Sequence, residues 1–255
     1  MNTRSRIIPT LLLQDKSLVK TVQFKEVNYI GDPINTVRIF NELEVDELVF
    51  LDINASKNGQ APEFKYLENI ASECFMPLAY GGGIRSLDDA KKIFQIGFEK
   101  VILNSSLYTD PDLVTRIADL YGSQAVVVSL DYRKNLFSGY SLYSHSGKKK
   151  ESFDLFKWAH KLQTLGAGEL LLTCIDQEGT WDGYDLKTIR KMTDLLHIPV
   201  VANGGAGSLL HLHDALKIGQ ASALGVGSLV VFQKKGMGVL INFPDKSKLN
   251  EVVFK

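Results

Sequence analysis

Three aspartates stand at the ends of apolar runs in this chain, where a carboxylate can do general acid–base chemistry. Asp52 closes LVFLD, Asp131 closes VVVSLD and Asp176 closes LLTCID. If these runs are strands of one barrel, their carboxyl ends converge, and we predict Asp131 and Asp176 as a catalytic pair. The alternative for any one of them is a helix cap or an ion pair with a lysine at the rim.

Glycine-rich stretches follow two of the runs, and each has a serine-containing partner further along the chain. Gly81-Gly82-Gly83 is followed by Asn104-Ser105-Ser106, and Gly204-Gly205-Ala206-Gly207 is followed by Gly227-Ser228. Glycine lets backbone N–H groups approach an anion closely, and serine hydroxyls add donors. We predict two phosphate sites from this pattern, although tight turns alone can also require glycine.

Lys20 lies in the long segment after the first apolar run, where a lysine can close over a bound phosphate. The alternative is a solvated loop lysine. We include Lys20 and Asp52 in the predicted substrate site, since both follow strand ends that open onto one mouth.

Four charged residues stand at the opposite ends of the runs, where the strands begin: Arg6, Glu47, Lys100 and Glu169. Two positive and two negative side chains at the floor of a barrel can pair and close it. The residues by themselves favour such a seal of salt bridges.

These side chains need a scaffold in which many strand ends meet. Apolar runs recur at about 6–13, 47–53, 77–80, 100–104, 124–131, 169–175, 199–203 and 222–227. Most are continuous rather than alternating, which is typical of parallel strands covered by helices. Helix starts follow at Asp32-Pro33, at Ser86 and at Ser208. The pattern predicts a (β/α)8 TIM barrel, and the lack of a linker predicts a single domain over residues 1–255.

The two halves of the chain repeat one another. PLAYGGGI at 77–84 matches PVVANGGA at 199–206, and LNSS at 103–106 matches GVGS at 225–228, both at an offset of 122 residues. The sequence therefore predicts two duplicated half-barrels. In the first and fifth strands the offset is 119, which pairs Leu12 with Asp131. At the position equivalent to Asp131, the first half of the chain therefore has Leu12 rather than a carboxylate.

Composition argues against several classes of partner. Lys and Arg number 29, equal to Asp and Glu, so no overall positive field favours nucleic acid or an anionic membrane. The N-terminal MNTRSRIIP lacks the apolar core of a signal peptide, no apolar run reaches about 18 residues, and the two cysteines form no CxxC pair. We expect a cytoplasmic protein with no membrane span, no metal ion and no cofactor.

Six segments together resemble the cyclase, or synthase, subunit of imidazole glycerol phosphate synthase. They are VDELVFLDINAS (45–56), GGGIRS (81–86), GSQAVVVSLD (122–131), YSHSGKKK (143–150), LGAGELLLTCIDQEGTWDGYD (165–185) and VANGGAGS (201–208). The resemblance implies a duplicated half-barrel that binds a substrate with a phosphate at each end. It also implies a glutaminase subunit docked at the N-terminal face of the barrel. Ammonia then passes up the barrel through a charged gate, whose positions fall on Arg6, Glu47, Lys100 and Glu169.

The resemblance further implies two catalytic aspartates, on the first and fifth strands. The fifth-strand position is Asp131, and Asp176 also matches, but the first-strand position is Leu12. Gly236 and Pro244 interrupt any long helix near the C-terminus, so we expect the eighth helix to be atypical or missing.

An intact gate and two phosphate sites, with a leucine in place of the first aspartate, resemble a branch of the family associated with sugar amidation. In that branch the barrel works with a glutaminase and a third, ATP-using enzyme to place an acetamidino group on a surface-glycan sugar. We therefore predict a synthase-type amidotransferase subunit of this branch. Three alternatives stay open: imidazole glycerol phosphate formation in histidine biosynthesis, a phosphosugar isomerase of the same barrel type, and a non-enzymatic ammonia-channel scaffold.

Overall fold

The computed structural model describes residues 4–135 and 139–255, so the start of the N-terminal stretch considered above, residues 1–3, lies outside the described residues. The strands are β1 (Arg6–Gln14), β2 (Ser17–Val22), β3 (Glu26–Gly31), β4 (Leu48–Asp52), β5 (Leu78–Gly81), β6 (Lys100–Leu103), β7 (Val126–Lys134), β8 (Tyr140–Ser144), β9 (Lys149–Glu151), β10 (Glu169–Cys174), β11 (Val200–Asn203) and β12 (Ala223–Val226). Eight of them pair in parallel in the order β1, β4, β5, β6, β7, β10, β11, β12 and back to β1. The predicted (β/α)8 TIM barrel is confirmed.

The helices lie outside this barrel; α1 to α7 follow barrel strands along the chain, and α8 and α9 come after the last strand. They are α1 (Pro33–Glu42), α2 (Phe64–Ala71), α3 (Leu87–Ile96), α4 (Leu113–Tyr121), α5 (Leu155–Thr164), α6 (Leu186–Leu195), α7 (Leu209–Lys217), α8 (Ser228–Val231) and α9 (Lys246–Lys248). The predicted starts are capped by side chains: Asp32 accepts from the Asn35 N–H at 2.8 Å, and Ser86 forms a reciprocal capping box with Asp89. None of the helices in residues 4–135 and 139–255 has the length and apolar character needed to cross a bilayer.

The barrel strands are apolar on both faces, as their continuous runs predict. One side chain from each strand fills the interior: Ile8, Val49, Ala79, Ile102, Val127, Leu171, Val201 and Ala223. The side chains between these positions point outward and join the helices in the larger core. Apolar side chains therefore fill most of the interior, and the charged groups stand at its two ends.

The predicted duplication is visible in the way each half begins. β1 continues into an antiparallel hairpin, β2 and β3, and β7 continues into a second hairpin, β8 and β9. The glycines after β5 and β11 also share a left-handed backbone, with φ of 134° at Gly82 and 89° at Gly204. A Cβ at Gly82 would lie 2.7 Å from Asp52 Cβ, and one at Gly204 would lie 2.8 Å from the Cys174 carbonyl oxygen, so only glycine fits at both positions.

The eighth helix is atypical, as the glycine and proline pattern predicts. α8 is a single turn of four residues, and the chain then returns through a bridge between Phe232 and Val239. The last helical turns, Leu249–Val253, take the place of a long helix by packing against α7, with Leu249 and Val253 fully buried. That edge of the barrel is covered rather than open.

We expect Leu249→Ala to lower the free energy of unfolding by about 2–5 kcal/mol, because it leaves a cavity between the C-terminal turns and α7. Urea unfolding followed by circular dichroism measures the change. Glu251→Ala, in the same turns but exposed, is the matched control and should change stability by less than about 0.5 kcal/mol. Equal stability of the two variants would show that the segment adds no packing.

Candidate active site

A cavity of about 310 Å³ opens at the carboxyl ends of the barrel strands. It is lined by all ten residues predicted to bind phosphate or substrate, namely Lys20, Asp52, Gly82, Gly83, Asn104, Ser105, Gly204, Gly205, Gly227 and Ser228. Asp131 lines it as well. The glycine stretches after β5 and β11 lie on opposite sides of the mouth, because their strands lie four apart in the eight-stranded barrel. We name residues 81–83 with 104–106 the first cradle, and residues 204–207 with 227–228 the second cradle.

Asp131 is a carboxylate with few polar partners. The Asn104 amide donates to it at 3.1 Å, and the Ser129 hydroxyl lies at 3.5 Å. Burial raises the pKa of Asp131 to about 7, a shift that the Thr173 and Ser129 hydroxyls reduce only in part. Near neutral pH the group therefore exists in both protonation states, as a general acid or base requires.

Leu12 lines the same cavity from the opposite wall. β1 and β7 lie four strands apart in both directions around the barrel, so Leu12 and Asp131 are on opposite sides of it. Asp15, three residues further on, lies outside the cavity in the β1–β2 turn and accepts from the Asn54 amide at 3.3 Å. The structure thus brings no carboxylate from β1 to face Asp131.

Asp176 does not join Asp131, contrary to the predicted pairing. Its carboxylate accepts from Arg133 at 2.9 Å and from the Lys134 N–H at 2.8 Å, and it is absent from the cavity wall. The reason is that β10 ends at Cys174 and the chain turns before Asp176, so the side chain points toward the end of β7. The predicted catalytic role of Asp176 has no support in this geometry.

Glu178 occupies the place in the cavity that the sequence analysis gave to Asp176. It is buried, lines the cavity, pairs with Lys20 and accepts from the Thr21 hydroxyl at 3.0 Å. Glu178 was not among the predicted site residues because it lies two residues beyond Asp176, inside the turn. The one sequence feature that could have identified Glu178 is that it is a second carboxylate, two residues after Asp176 and beyond the same strand.

Lys20 is buried at the second cradle and is not a solvated loop lysine. A Cβ at Gly227 would lie 2.8 Å from Lys20 Cε and 3.1 Å from its Nζ, so the lysine side chain crosses directly over this glycine. The β2–β3 hairpin that carries it is tied to the turn after β10, since the Gln23 N–H donates to the Glu178 carbonyl at 2.9 Å. The second cradle therefore has a fixed cation.

Asp52 stabilises the turn that follows β4. One carboxylate oxygen accepts from the N–H groups of Asn54 and Ala55, both at 2.9 Å, which fixes the turn after β4. Burial raises the pKa of Asp52, and these two backbone donors lower it in part. Its other face lines the cavity beside the first cradle.

The four floor charges form one closed cycle, which we name the floor ring. Arg6 donates to both Glu47 and Glu169, and Lys100 reaches Glu47 at 2.9 Å and Glu169 at 3.0 Å. Both glutamates are buried, and each is shared by two cations. Burial alone lowers the pKa of Arg6, but Glu169 and Glu47 raise it further than burial lowers it.

Comparisons with known proteins agree with this geometry. The family model described as histidine biosynthesis protein matches residues 6–235. The chain belongs to that family. A protein of Pseudomonas aeruginosa with the provisional name imidazole glycerol phosphate synthase subunit hisF2 is 47% identical over 247 residues, covering 97% of this chain and 98% of its own. A protein of Vibrio vulnificus with the provisional name subunit hisF3 is 45% identical over 246 residues, covering 96% and 95%.

The similarity extends to relatives without a numbered name. Imidazole glycerol phosphate synthase subunit HisF of Pelodictyon phaeoclathratiforme is 43% identical over 229 residues, covering 90% of this chain and 91% of its own. The chain is thus a HisF-type member of the histidine biosynthesis protein family, and it has the barrel expected of that family.

We expect Asp131→Asn to remove a pH-dependent loss of stability. The folded pKa of about 7 lies above the ordinary 3.8, so the folded protein holds a proton that the unfolded chain has released. Wild-type stability contributed by this group is complete below about pH 4 and is lost as the pH rises to about 7. Relative to wild type, the asparagine variant should gain stability across this interval and no more above it.

Urea unfolding at several pH values between 4 and 8 measures this difference. Asp131→Leu, which also removes the titrating group, should show the same trend against pH even if its absolute stability differs. A stability difference that stays constant with pH in both variants would contradict the raised pKa.

Proposed function

We propose that this chain is the synthase-type barrel subunit of a glutamine-dependent amidotransferase that serves amidation of a surface-glycan sugar. The observation that carries the proposal is Leu12 opposite Asp131 in a cavity that keeps both cradles, in a barrel that also keeps the floor ring at its other end. A leucine can neither transfer a proton nor hold a charge, and removal of a positioned acid–base group typically costs about 10²–10⁴ in rate. The ring-closing reaction of the family is therefore impaired or absent, whereas the route for ammonia is retained.

A small internal cavity supports the relay of ammonia. It has a volume of about 10 Å³ and lies between the floor ring and the main cavity, with Glu47 and Glu169 in its lower wall. Thr10 and Ile102 line both this space and the main cavity. The volume corresponds to about one water-sized molecule, and the rest of the lining is mostly apolar. Neutral ammonia fits such a space better than a charged ammonium ion does.

The floor ring supports a gate rather than a permanent seal. Breaking a buried ion pair by removing one partner usually costs several kcal/mol. In the floor ring, however, each glutamate has two cations, so one bond can open while the other keeps the carboxylate paired. Arg6 is the most exposed member and is the one that a partner docked beneath the barrel would reach first.

The site can hold an acceptor and present it to ammonia. The two cradles favour anionic groups at opposite sides of the mouth, and Asp131 can take the proton that a newly bound nitrogen releases. Amidine formation also needs an activated carbonyl oxygen that can leave, and we propose that an ATP-using enzyme supplies it. No cofactor or metal ion is part of this proposal.

The partner at the floor, in this proposal, is a glutaminase subunit. Phe75 lies in the loop between α2 and β5, on the floor face, and is 87% exposed. Its loop is held rigidly: the Asn41 amide accepts from the Phe75 N–H at 3.1 Å and donates to the Glu73 carbonyl at 2.7 Å. Arg38 donates twice to the Glu73 carboxylate. An exposed aromatic side chain on a hydrogen-bonded loop is typical of an interface anchor.

Imidazole glycerol phosphate formation in histidine biosynthesis is the second candidate. Asp131 with its raised pKa and two anion cradles favours it, as does the similarity to proteins named HisF without a number. Provisional names with the numbers 2 and 3 among the relatives at 47% and 45% identity instead support a paralogue.

A turnover assay separates these two functions. We expect the purified chain, supplied with ammonium salt and the histidine-pathway bisphosphate substrate, to form product at least about 10²-fold more slowly than a HisF that has both aspartates. Leu12→Asp should raise the rate, because it restores a second carboxylate opposite Asp131. Wild-type turnover in the range of such a HisF would reject the sugar-amidation proposal in favour of histidine biosynthesis.

We expect Phe75→Asp to weaken binding of the glutaminase by about tenfold or more, since it replaces an apolar anchor with a charge at the interface. Isothermal titration with each purified glutaminase subunit of the same organism measures the affinity. Leu210→Asp, an equally polar change at an exposed leucine on the catalytic end of α7, is the control and should leave the affinity unchanged. Equal affinities of both variants and wild type would place the interface elsewhere.

A further inference from the structure

His145 lies in the turn between β8 and β9 and lines the main cavity beside the first cradle. Its backbone N–H donates to the Ser105 hydroxyl at 3.1 Å. The next residue, Ser146, donates from its hydroxyl to the Ile53 carbonyl at 2.5 Å. The turn therefore reaches from the end of β8 across the first cradle to the loop after β4.

The turn adopts a backbone conformation that its residues rarely choose. His145 has φ of 53° and Ser146 has φ of 55°, and neither is glycine. Left-handed backbone at such residues costs free energy and is found where the surroundings enforce it, often at functional sites. Here the two residues form the tight turn of the β8–β9 hairpin, and they also contact Ser105 and Ile53 of the cavity wall.

The hydrogen bonds around the imidazole determine which nitrogen carries a proton. The Ser144 hydroxyl is fully buried and donates to Glu151 Oε1 at 2.5 Å, and Lys149 pairs with the same carboxylate at 3.1 Å. A hydroxyl has one proton, so the 2.8 Å contact between Ser144 Oγ and His145 Nδ1 requires Nδ1–H to be the donor. Nδ1 is thus committed to the Ser144–Glu151 pair.

Nε2 of His145 is left free for a ligand. It makes no hydrogen bond to the described part of the chain, and it is not among the buried polar atoms without a partner, so it is accessible to solvent. When the ring is protonated, Nε2–H is a charged donor at the cavity wall. The Nδ1–H bond to Ser144, which is itself held by the buried Glu151, fixes the orientation of the ring.

We infer that His145 is a phosphate-binding residue of the first cradle, with Nε2–H as the donor and Ser144 and Glu151 as positioning residues. The inference rests on the proposed function, in which the substrate carries anionic groups at both sides of the mouth. The arrangement gives each cradle one side chain with a nitrogen donor for a bound anion. Lys20 is fixed over Gly227 in the second cradle, and His145 adjoins Ser105 in the first.

Inorganic phosphate, followed by NMR of the full chain, tests the inference. The backbone amide of Ser105 reports the first cradle, and that of Gly227 reports the second. In wild type both amide signals should shift in a saturable way. His145→Asn keeps a residue that tolerates left-handed backbone but removes the charged donor. It should weaken phosphate binding at Ser105 by about tenfold or more and leave the dissociation constant at Gly227 unchanged.

Two controls make the result specific. His160→Asn, at an exposed histidine on α5, should alter neither dissociation constant. Glu151→Gln removes the carboxylate that holds Ser144 in place, so the ¹⁵N shifts of the His145 ring nitrogens should change, together with weaker phosphate binding at Ser105.

An unchanged dissociation constant at Ser105 in His145→Asn overturns the role of His145 and leaves the proposed function in place. Absence of phosphate-dependent shifts at both cradles in wild type counts against the anion sites of the proposed function itself. Weaker binding at Ser105 alone supports the inference.

Discussion

The parallel pairing of β7 with β10 is the constraint on which the rest of the structure depends, because this one ladder runs from the floor of the barrel to its mouth. Its register runs from Val127 opposite Glu169 to Tyr132 opposite Cys174. As part of the closed barrel, the ladder leaves neither strand with an open edge. It also sets Asp131 beside Thr173 at the mouth and brings Glu169 to the floor, where it completes the floor ring. The cavity and the floor ring thus lie at the two ends of the β7–β10 pair.

The floor and the mouth of the barrel differ in how their charged groups are paired. At the floor two cations and two carboxylates neutralise one another, so the charges are paired without any ligand. At the mouth Asp131 has only weak polar partners, and burial keeps its pKa near 7. Lys20 and His145 at the mouth are held by Glu178 and by the Ser144–Glu151 pair. The floor charges thus pair with one another, whereas the carboxylate of Asp131 has no ion-pair partner among the described residues.

Much of this was accessible from the sequence, because the relevant signals are local. Continuous apolar runs specify buried parallel strands, and Asp32, Ser86 and Ser208 mark helix starts through caps that span only three or four residues. Glycines after β5 and β11 marked the cradles, since the backbone there admits no Cβ. The internal repeat, with its offset of 119 residues, paired Leu12 with Asp131.

The sequence by itself determined the barrel, its duplication, the two cradles, the floor charges and the missing carboxylate at Leu12. Only the tertiary structure decided which side chains beyond the strand ends enter the cavity. Asp176 and Glu178 are two residues apart in one turn, yet one pairs with Arg133 outside the cavity and the other with Lys20 inside it. The physical reason is that pleating fixes side-chain direction along a strand, whereas in a turn the direction follows from hydrogen bonds to segments far away in the chain.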